Sequence, residues 1–246
     1  MYLMRLILRF TPTEYALFNK INKHSIQGLL YYSLSGTKYE NLHSKKGYKF
    51  FTFSDIFPAT DFSPEKDYSL IISSPRKGLI NEWYNKFSKM KYIYLSDLSF
   101  KIKEIKKIQV GVEKSLITGS PIVLYEDSKK NRYFSFRRNG NVDFFLKRLK
   151  ENALKKFNAF YNDDFLLEGP IFDRFSLKKE VSVKVTIGTQ KFDIIGSMWN
   201  LLEKTHMEKD EIKFYNFIMD AGLGEKNSLG FGFVNPVKIV GDGSHD

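Results

Sequence analysis

The chain contains four histidines, His24, His43, His206 and His245, and no cysteine, which bounds the chemistry it can do. An imidazole titrates near ~6.5, so a well-placed histidine can take or give a proton close to neutral pH. Without cysteine there is no thiolate nucleophile, no thiolate metal ligand and no disulfide framework. The histidines are scattered, no His-x-x-x-His pair occurs, and Glu151, Asp163 and Asp164 read as solvated acids. That pattern predicts neither a metal site nor the paired carboxylates of a two-metal nuclease, so no cofactor is expected. His43 has the most suggestive setting, a basic loop with Lys45, Lys46 and Lys49 inside LHSKKGYKFFTFS (42–54). A lone loop histidine is more often inert than catalytic, so residue type alone leaves it open. His24 is the rival, just ahead of a helix carrying Tyr31 and Tyr32. His206 reads as surface, and His245 as part of a loose GDGSHD tail.

The second cluster is GLGEKNSLGFGFV at 222–234, directly after a predicted helix. Glycines permit positive φ and let backbone N–H groups converge on an anion. Gly222, Gly224, Gly230 and Gly232, with Lys226 and Asn227, are therefore candidates to hold phosphate. A helix cap and tight turn would explain Gly222 or Gly224, but hardly Gly230 and Gly232 as well. No Gly-Lys-Ser/Thr follows, and the segment precedes a strand rather than opening a helix, which excludes a Walker loop and a dinucleotide fingerprint. Gly230–Val234 matches the middle of an RNA-recognition-motif octapeptide, but Leu229 and Pro236 fail at its edges. Too little chain follows for the helix and strand that motif needs.

Charge and composition supply the partner class. The 246 residues carry 39 Lys+Arg against 28 Asp+Glu, a formal +11, with 42% hydrophobic and 16% aromatic residues. Such a chain can bury a core, and basic charge with many rings favours a polyanion, since cations neutralise phosphates and rings stack on bases. The alternative is lysine enrichment for solubility. No apolar run approaches the ~18 residues of a membrane span. Arg5 and Arg9 interrupt the apolar start, which lacks a cleavage site, so the expectation is a soluble, cytoplasmic protein without a membrane partner.

These residues need elements to position them. Tyr2, Met4, Leu6, Leu8 and Phe10 alternate with Arg5 and Arg9, predicting a strand whose arginine face meets either solvent or phosphate. A helical stretch follows Thr13 and runs to about Ser35, with Gly36 past its end. Strands are predicted at 67–74, 92–95 and 100–110, and a helix at 76–87, although the isoleucines of KIKEIKKI recur every three residues. IVLY (122–125) and RYFSF (132–136) read as a hairpin across a basic turn. Its Lys129, Lys130, Arg132, Arg137 and Arg138 are as consistent with an ordinary charged turn as with RNA contact. The 143–161 helix buries Leu146, Leu149, Ala153, Phe157 and Phe160 and leaves Lys147, Lys150, Lys155 and Lys156 mostly elsewhere, on a face read as solvated. EVSVKVTI (180–187) is a strand, IIGSMWNLLEK and EIKFYNFIMDAG read as helical, and 231–240 closes the chain as a strand. The order predicts an α+β protein of two tandem ferredoxin-like domains, residues 1–112 and 113–246, each an antiparallel sheet with helices on one face.

Gly222–Val234, at the end of a basic chain with two such halves, resembles the signature loop of the CRISPR-associated endoribonucleases that cut repeat RNA into guide units. These are the sixth-numbered Cas proteins, within the RAMP superfamily. SIQGLLYYSL (25–34) and the 42–54 loop resemble that family's catalytic region. The resemblance implies a Tyr-His-Lys set at Tyr31, His43 and Lys49, with His43 as general acid/base and Lys49 stabilising the pentacoordinate phosphate. Tyr31, with an ordinary pKa of ~10, suits an orienting hydrogen-bond donor. It further implies metal-independent cleavage by the substrate's own 2′-hydroxyl, leaving a 2′,3′-cyclic phosphate and a 5′-hydroxyl. The implied partner is CRISPR repeat RNA, with effector-complex subunits and a homodimer left open. RNA contacts are expected from Arg5, Arg9, Lys45, Lys46, Arg132, Arg137, Arg138 and the glycine-rich segment. A non-catalytic guide-RNA clamp of the same superfamily is the rival reading.

Overall fold

The computed structural model describes residues 3–138, 140–187 and 189–237, so His245 and the predicted strand's end at 238–240 lie outside the described residues. The first half holds β1 (Leu3–Pro12), α1 (Lys23–Tyr32), β2 (Thr52–Phe53), β3 (Tyr68–Ser73), α2 (Lys77–Phe87), β4 (Tyr92–Leu95) and β5 (Leu98–Val110). Its sheet has the order β2-β3-β1-β5-β4, with every pairing antiparallel. Leu6, Leu8 and Phe10 are fully buried on one face of β1, packed with Tyr68, Leu70 and Ile72 of β3 against Ile26, Leu29 and Leu30 of α1 and Leu79, Ile80 and Trp83 of α2. Helix α1 begins later than the sequence predicts, at Lys23. There the Asn22 side chain accepts from the Ser25 N–H and satisfies an otherwise orphaned donor.

The second half holds β6 (Ser115–Thr118), the short pair β7 (Tyr125–Asp127) and β8 (Arg132–Tyr133), α3 (Val142–Tyr161), β9 (Arg174–Ile187), β10 (Gln190–Glu203), α4 (Glu211–Ala221) and β11 (Val234–Val237). Its main sheet is ordered β11-β6-β10-β9, again antiparallel. Phe145, Leu149, Ala153 and Phe157 of α3 join Phe214, Phe217 and Ile218 of α4 over Leu116, Trp199 and Leu202. Each half thus follows the strand-helix-strand-strand-helix-strand path of a ferredoxin-like fold, the first half adding β4 as an edge hairpin partner. The predicted α+β class with two tandem ferredoxin-like folds is the observed architecture.

Two predicted elements differ. IIGSMWNLLEK is not helical; it is the body of β10, and register shifts at Met198/Trp199 and Trp199/Leu201 break the two-residue alternation. Buried Ile194, Ser197, Trp199 and Leu202 then fall at intervals that resemble a helix. The 122–136 hairpin is shorter than predicted, with β-pairing only between Tyr125–Asp127 and Arg132–Tyr133.

Candidate active site

Tyr31 lies in the last turn of α1, and the 43–49 loop passes beside it on the way into β2. The Tyr31 ring meets the His43 imidazole edge-on, with centroids 4.9 Å apart at 83°, and meets Phe51 at 5.7 Å on the same pattern. Phe51 is fully buried, so the core fixes the tyrosine and the tyrosine gives the exposed histidine one wall. Lys49 Nζ donates to the backbone carbonyls of His43, at 3.0 Å, and of Lys45, closing the loop on itself. Partial burial and the neighbouring Lys45 hold the Lys49 ammonium below its usual pKa. Burial raises the Tyr31 phenol above its usual value, while a hydrogen bond with the Ser228 hydroxyl pulls the other way. Tyr31 therefore keeps its proton at neutral pH, a state fit to donate a hydrogen bond rather than to accept a proton. The adjacent Tyr32 is 75% exposed and takes no part in this packing.

His24 is not brought to this cluster. It stands two turns before Tyr31, about 10 Å along the helix axis, with its Nδ1 3.4 Å from Gln27 Oε1. His206 is exposed beside Glu208 at 2.9 Å.

The glycine-rich segment does something other than predicted. Gly222, Gly224, Gly230 and Gly232 all have positive φ and are buried in the seam between the halves. Their backbone is committed: the Gly222 N–H donates to Ile218, Gly230 to Asn227 and Gly232 to Pro121. A Cβ on Gly230 would lie 2.1 Å from Phe53 of β2, and one on Gly232 1.8 Å from the Leu223 carbonyl. These glycines allow close packing and do not cradle an anion. Around them, Lys23 donates to the Gly230 carbonyl at 2.7 Å, Thr52 to Phe231 at 2.9 Å and Gln27 to Ser228 at 2.9 Å, so the first half grips the loop. From the other side Lys156, 3% exposed rather than solvated, donates to the carbonyls of Gly222 and Gly224 and to Asn227 Oδ1. Its burial lowers the pKa to about 7, with Glu225 opposing. Asn227 is spent inside the loop, donating to Leu223 and Phe231 at 3.0 Å each.

The half-exposed part of the loop is 225–228, which walls a cavity of about 170 Å³ together with Gly47, Tyr48, Lys49 and Lys156. Ser228 and Lys156, missed in the sequence, complete this wall. Ser228 follows Asn227 but carries no charge or pattern that marks it in the sequence. Lys226 extends over the stacked Tyr125–Tyr133 pair, 5.6 Å from each ring.

Arg5 is a second correction. It is 1% exposed, 3.5 Å from Asp220 Oδ1, and donates to Asn235 at 3.0 Å and to the Met219 carbonyl at 2.9 Å. An arginine sealed this way joins the halves and cannot reach RNA. Arg9, on the same strand face but nearer its end, is half exposed with Glu104 at 3.7 Å. Lys45 and Lys46 are exposed. Arg132 and Arg138 share Glu126, and Arg137 lies 3.8 Å from Glu180 while 82% exposed. Among the described residues no three His, Asp or Glu side chains gather as a metal site would require, and no helix is long and apolar enough to cross a membrane.

Residues 100–236 match the family described as CRISPR associated protein Cas6, C-terminal. The chain is 45% identical over 241 residues to CRISPR-associated endoribonuclease Cas6 2 of Methanocaldococcus jannaschii, covering 96% of this chain and 100% of that protein. A solved structure from the characterisation of a Cas6-related gene of Pyrococcus furiosus superposes with a TM-score of 0.71 at 22% identity, covering 96% and 99%. Another, described as a RAMP protein binding different RNA substrates, gives 0.66 at 22% identity, covering 96% and 100%. Together, the family match and the near full-length identity place this chain in the Cas6 family.

Proposed function

We propose that this protein is an endoribonuclease that processes CRISPR precursor RNA by cutting within the repeat, without a metal ion. The observation that carries the reading is the gathering of Tyr31, His43 and Lys49, a ring wall, an imidazole and an ammonium, in a chain of the Cas6 family. The 2′-hydroxyl oxygen attacks the adjacent phosphorus, and the bond to the 5′ oxygen breaks. The products are a 2′,3′-cyclic phosphate and a 5′-hydroxyl. The histidine can remove the 2′ proton or protonate the departing oxygen. Lys49, with Lys45 and Lys46 beside it, offsets charge on the crowded phosphate. Tyr31 orients the imidazole and donates, its own proton held by burial. We place the domain boundary between residues 112 and 113, in the connection from β5 to β6, with the catalytic loop in the first domain and the glycine-rich loop in the second. Arg9, Lys45, Lys46, Lys226 and the three arginines at 132–138 remain as RNA contacts.

The test is incubation with the repeat RNA of the organism's own array in EDTA, followed by end mapping. Cleavage with cyclic phosphate and 5′-hydroxyl ends is expected, falling about 10²–10⁴-fold in His43→Ala with RNA binding intact. Loss in EDTA rescued by magnesium would refute the mechanism. Undiminished cutting by His43→Ala would refute the site. Binding without cutting by the wild-type protein would favour the guide-RNA clamp.

A further inference from the structure

Near the N-terminal end of α1, the structure sets an exposed ring into the lining of two basic grooves. Val183 and Val185 of β9 face Ile194 of β10 in an apolar patch with Leu229, Phe231 and Tyr133. Two residues before Ile194, on the same strand face, stands Phe192, left 38% exposed. Phe192 lines a groove of about 750 Å³ that runs between Asn19, Lys20 and Asn22 of the first half and Lys184 and Lys191 of the second. It also lines a second groove, of about 520 Å³, between Lys191 and the Lys130, Arg132 and Arg138 side chains of the β7–β8 hairpin. Neither Lys184 nor Lys191 makes an ion pair among the described residues, and Lys20 only approaches Asp97 at 4.0 Å. The acid common to both grooves is Asp193, 3.5 Å from Ser182 Oγ.

We propose that Phe192 is a stacking platform for one unpaired base of RNA, with the backbone on either side of that base running through the two lysine- and arginine-lined grooves. This rests on the reading of the chain as an RNA-processing protein and adds a strandedness to its substrate. A ring beside grooves lined with lysines and arginines suits sequence-tolerant single-strand binding, because every base has a π-face and every link a phosphate. A duplex keeps its bases stacked on each other and gives the ring nothing to receive. The position is also connected to the chemistry: Asn22, in the first groove's wall, caps α1, and Tyr31 lies on that helix about 13 Å further along its axis. A strand held on Phe192 is thus within a few nucleotides of the His43 loop.

Fluorescence anisotropy with a dodecameric oligouridylate and an RNA duplex of the same length tests this, using the wild-type chain, Phe192→Leu and Phe192→Trp. Leucine keeps an apolar side chain but removes the π-face, and tryptophan keeps both. Phe192→Leu is expected to weaken oligouridylate binding roughly 5- to 150-fold, with Phe192→Trp near wild type and duplex binding unchanged in all three. Replacing Lys184 and Lys191 together by Ser should flatten the salt dependence by about 0.7 per lost phosphate contact. Phe192→Leu binding oligouridylate like the wild type, weakening both probes alike, or a wild-type chain preferring duplex or binding neither would each overturn the proposal. Repeat-RNA cleavage in EDTA separates the two readings: lost cleavage with ring-dependent oligouridylate binding sinks the nuclease and keeps the platform, and the reverse sinks the platform alone.

Discussion

Replacing Arg5 by Met distinguishes a strut from an RNA contact. The guanidinium is buried with Asp220 at 3.5 Å, Asn235 at 3.0 Å and the Met219 carbonyl at 2.9 Å, and lies 4.8 Å from the Phe233 ring centre. Methionine fills most of the volume but leaves a carboxylate and two acceptors in the seam without their donor. Removing one partner of a buried pair costs about 3–5 kcal/mol. The deficit should depend on pH. Burial drives the Asp220 carboxyl up to about 7 against the pull of Arg5 and Lys77. A carboxyl whose folded pKa lies above its unfolded value withdraws stability as pH rises from the ordinary ~3.9 toward that folded pKa. Without Arg5 the upper end of this window moves higher, so the loss continues past neutrality. Urea melts of Arg5→Met should therefore show the full deficit at pH 8 and a smaller one at pH 5, where Asp220 is protonated in both folded proteins. Adding Asp220→Asn should recover part of it at pH 8. The salt dependence of RNA binding should not move. Unchanged stability together with a salt slope reduced by about 0.7–0.9 would show that Arg5 contacts phosphate and refute the assignment.

Three further outcomes follow from the same geometry. Lys49 is held below its usual pKa and Tyr31 above its own, so with His43 acting as the base the alkaline fall in cleavage rate should belong to Lys49. Lys49→Arg, which does not deprotonate in that range, should move this fall to higher pH, and an unmoved limb would reject the assignment. Lys156 titrates at about 7 when folded but near ~10.5 when unfolded, so its burial should make stability rise with pH across that interval. Urea melts of Lys156→Met should lack that slope, and cleavage should weaken as the loop carbonyls lose their donor. Finally, Gly232 and Gly36 have nearly equal φ, +72 and +70, but an added Cβ at Gly36 meets nothing within 4 Å. Gly36→Ala should cost about 1–2 kcal/mol, while Gly232→Ala, driven into the Leu223 carbonyl, should cost several-fold more or prevent folding, read by thermal melts.

Much of the first half was legible because its patterns are local. β1 alternates, and Leu6, Leu8 and Phe10, which the pattern selects, are fully buried. KIKEIKKI was ambiguous for a physical reason: the register slips between Arg9 and Phe10, so Ile102 and Ile105 both face the helices, while Ile108 pairs with Arg5 on the opposite face. The different fates of Arg5 and Arg9 were invisible, since both stand on one strand face and only the position of Asp220 separates them. Gathering Tyr31, His43 and Lys49 required a family resemblance, because His43 and Lys49 sit on a loop whose path no periodicity encodes. The glycines stand out in the sequence, but their task does not. Sequence reveals where backbone freedom is needed, whereas the neighbour that demands it, here Phe53 or Leu223, comes from the fold.

The loop that carries His43 and Lys49 ends at Phe50, whose ring joins the core of the other half against Phe160 of α3 and Phe217 of α4, at 5.0 and 6.1 Å. Ser228, which meets Tyr31, comes later still in the chain. During synthesis the histidine and lysine emerge long before the groups that hold their loop in place. On the proposed reading, a partly made chain has the His43 and Lys49 side chains without their setting, and cleavage competence would wait until the segment through Ser228 has been made.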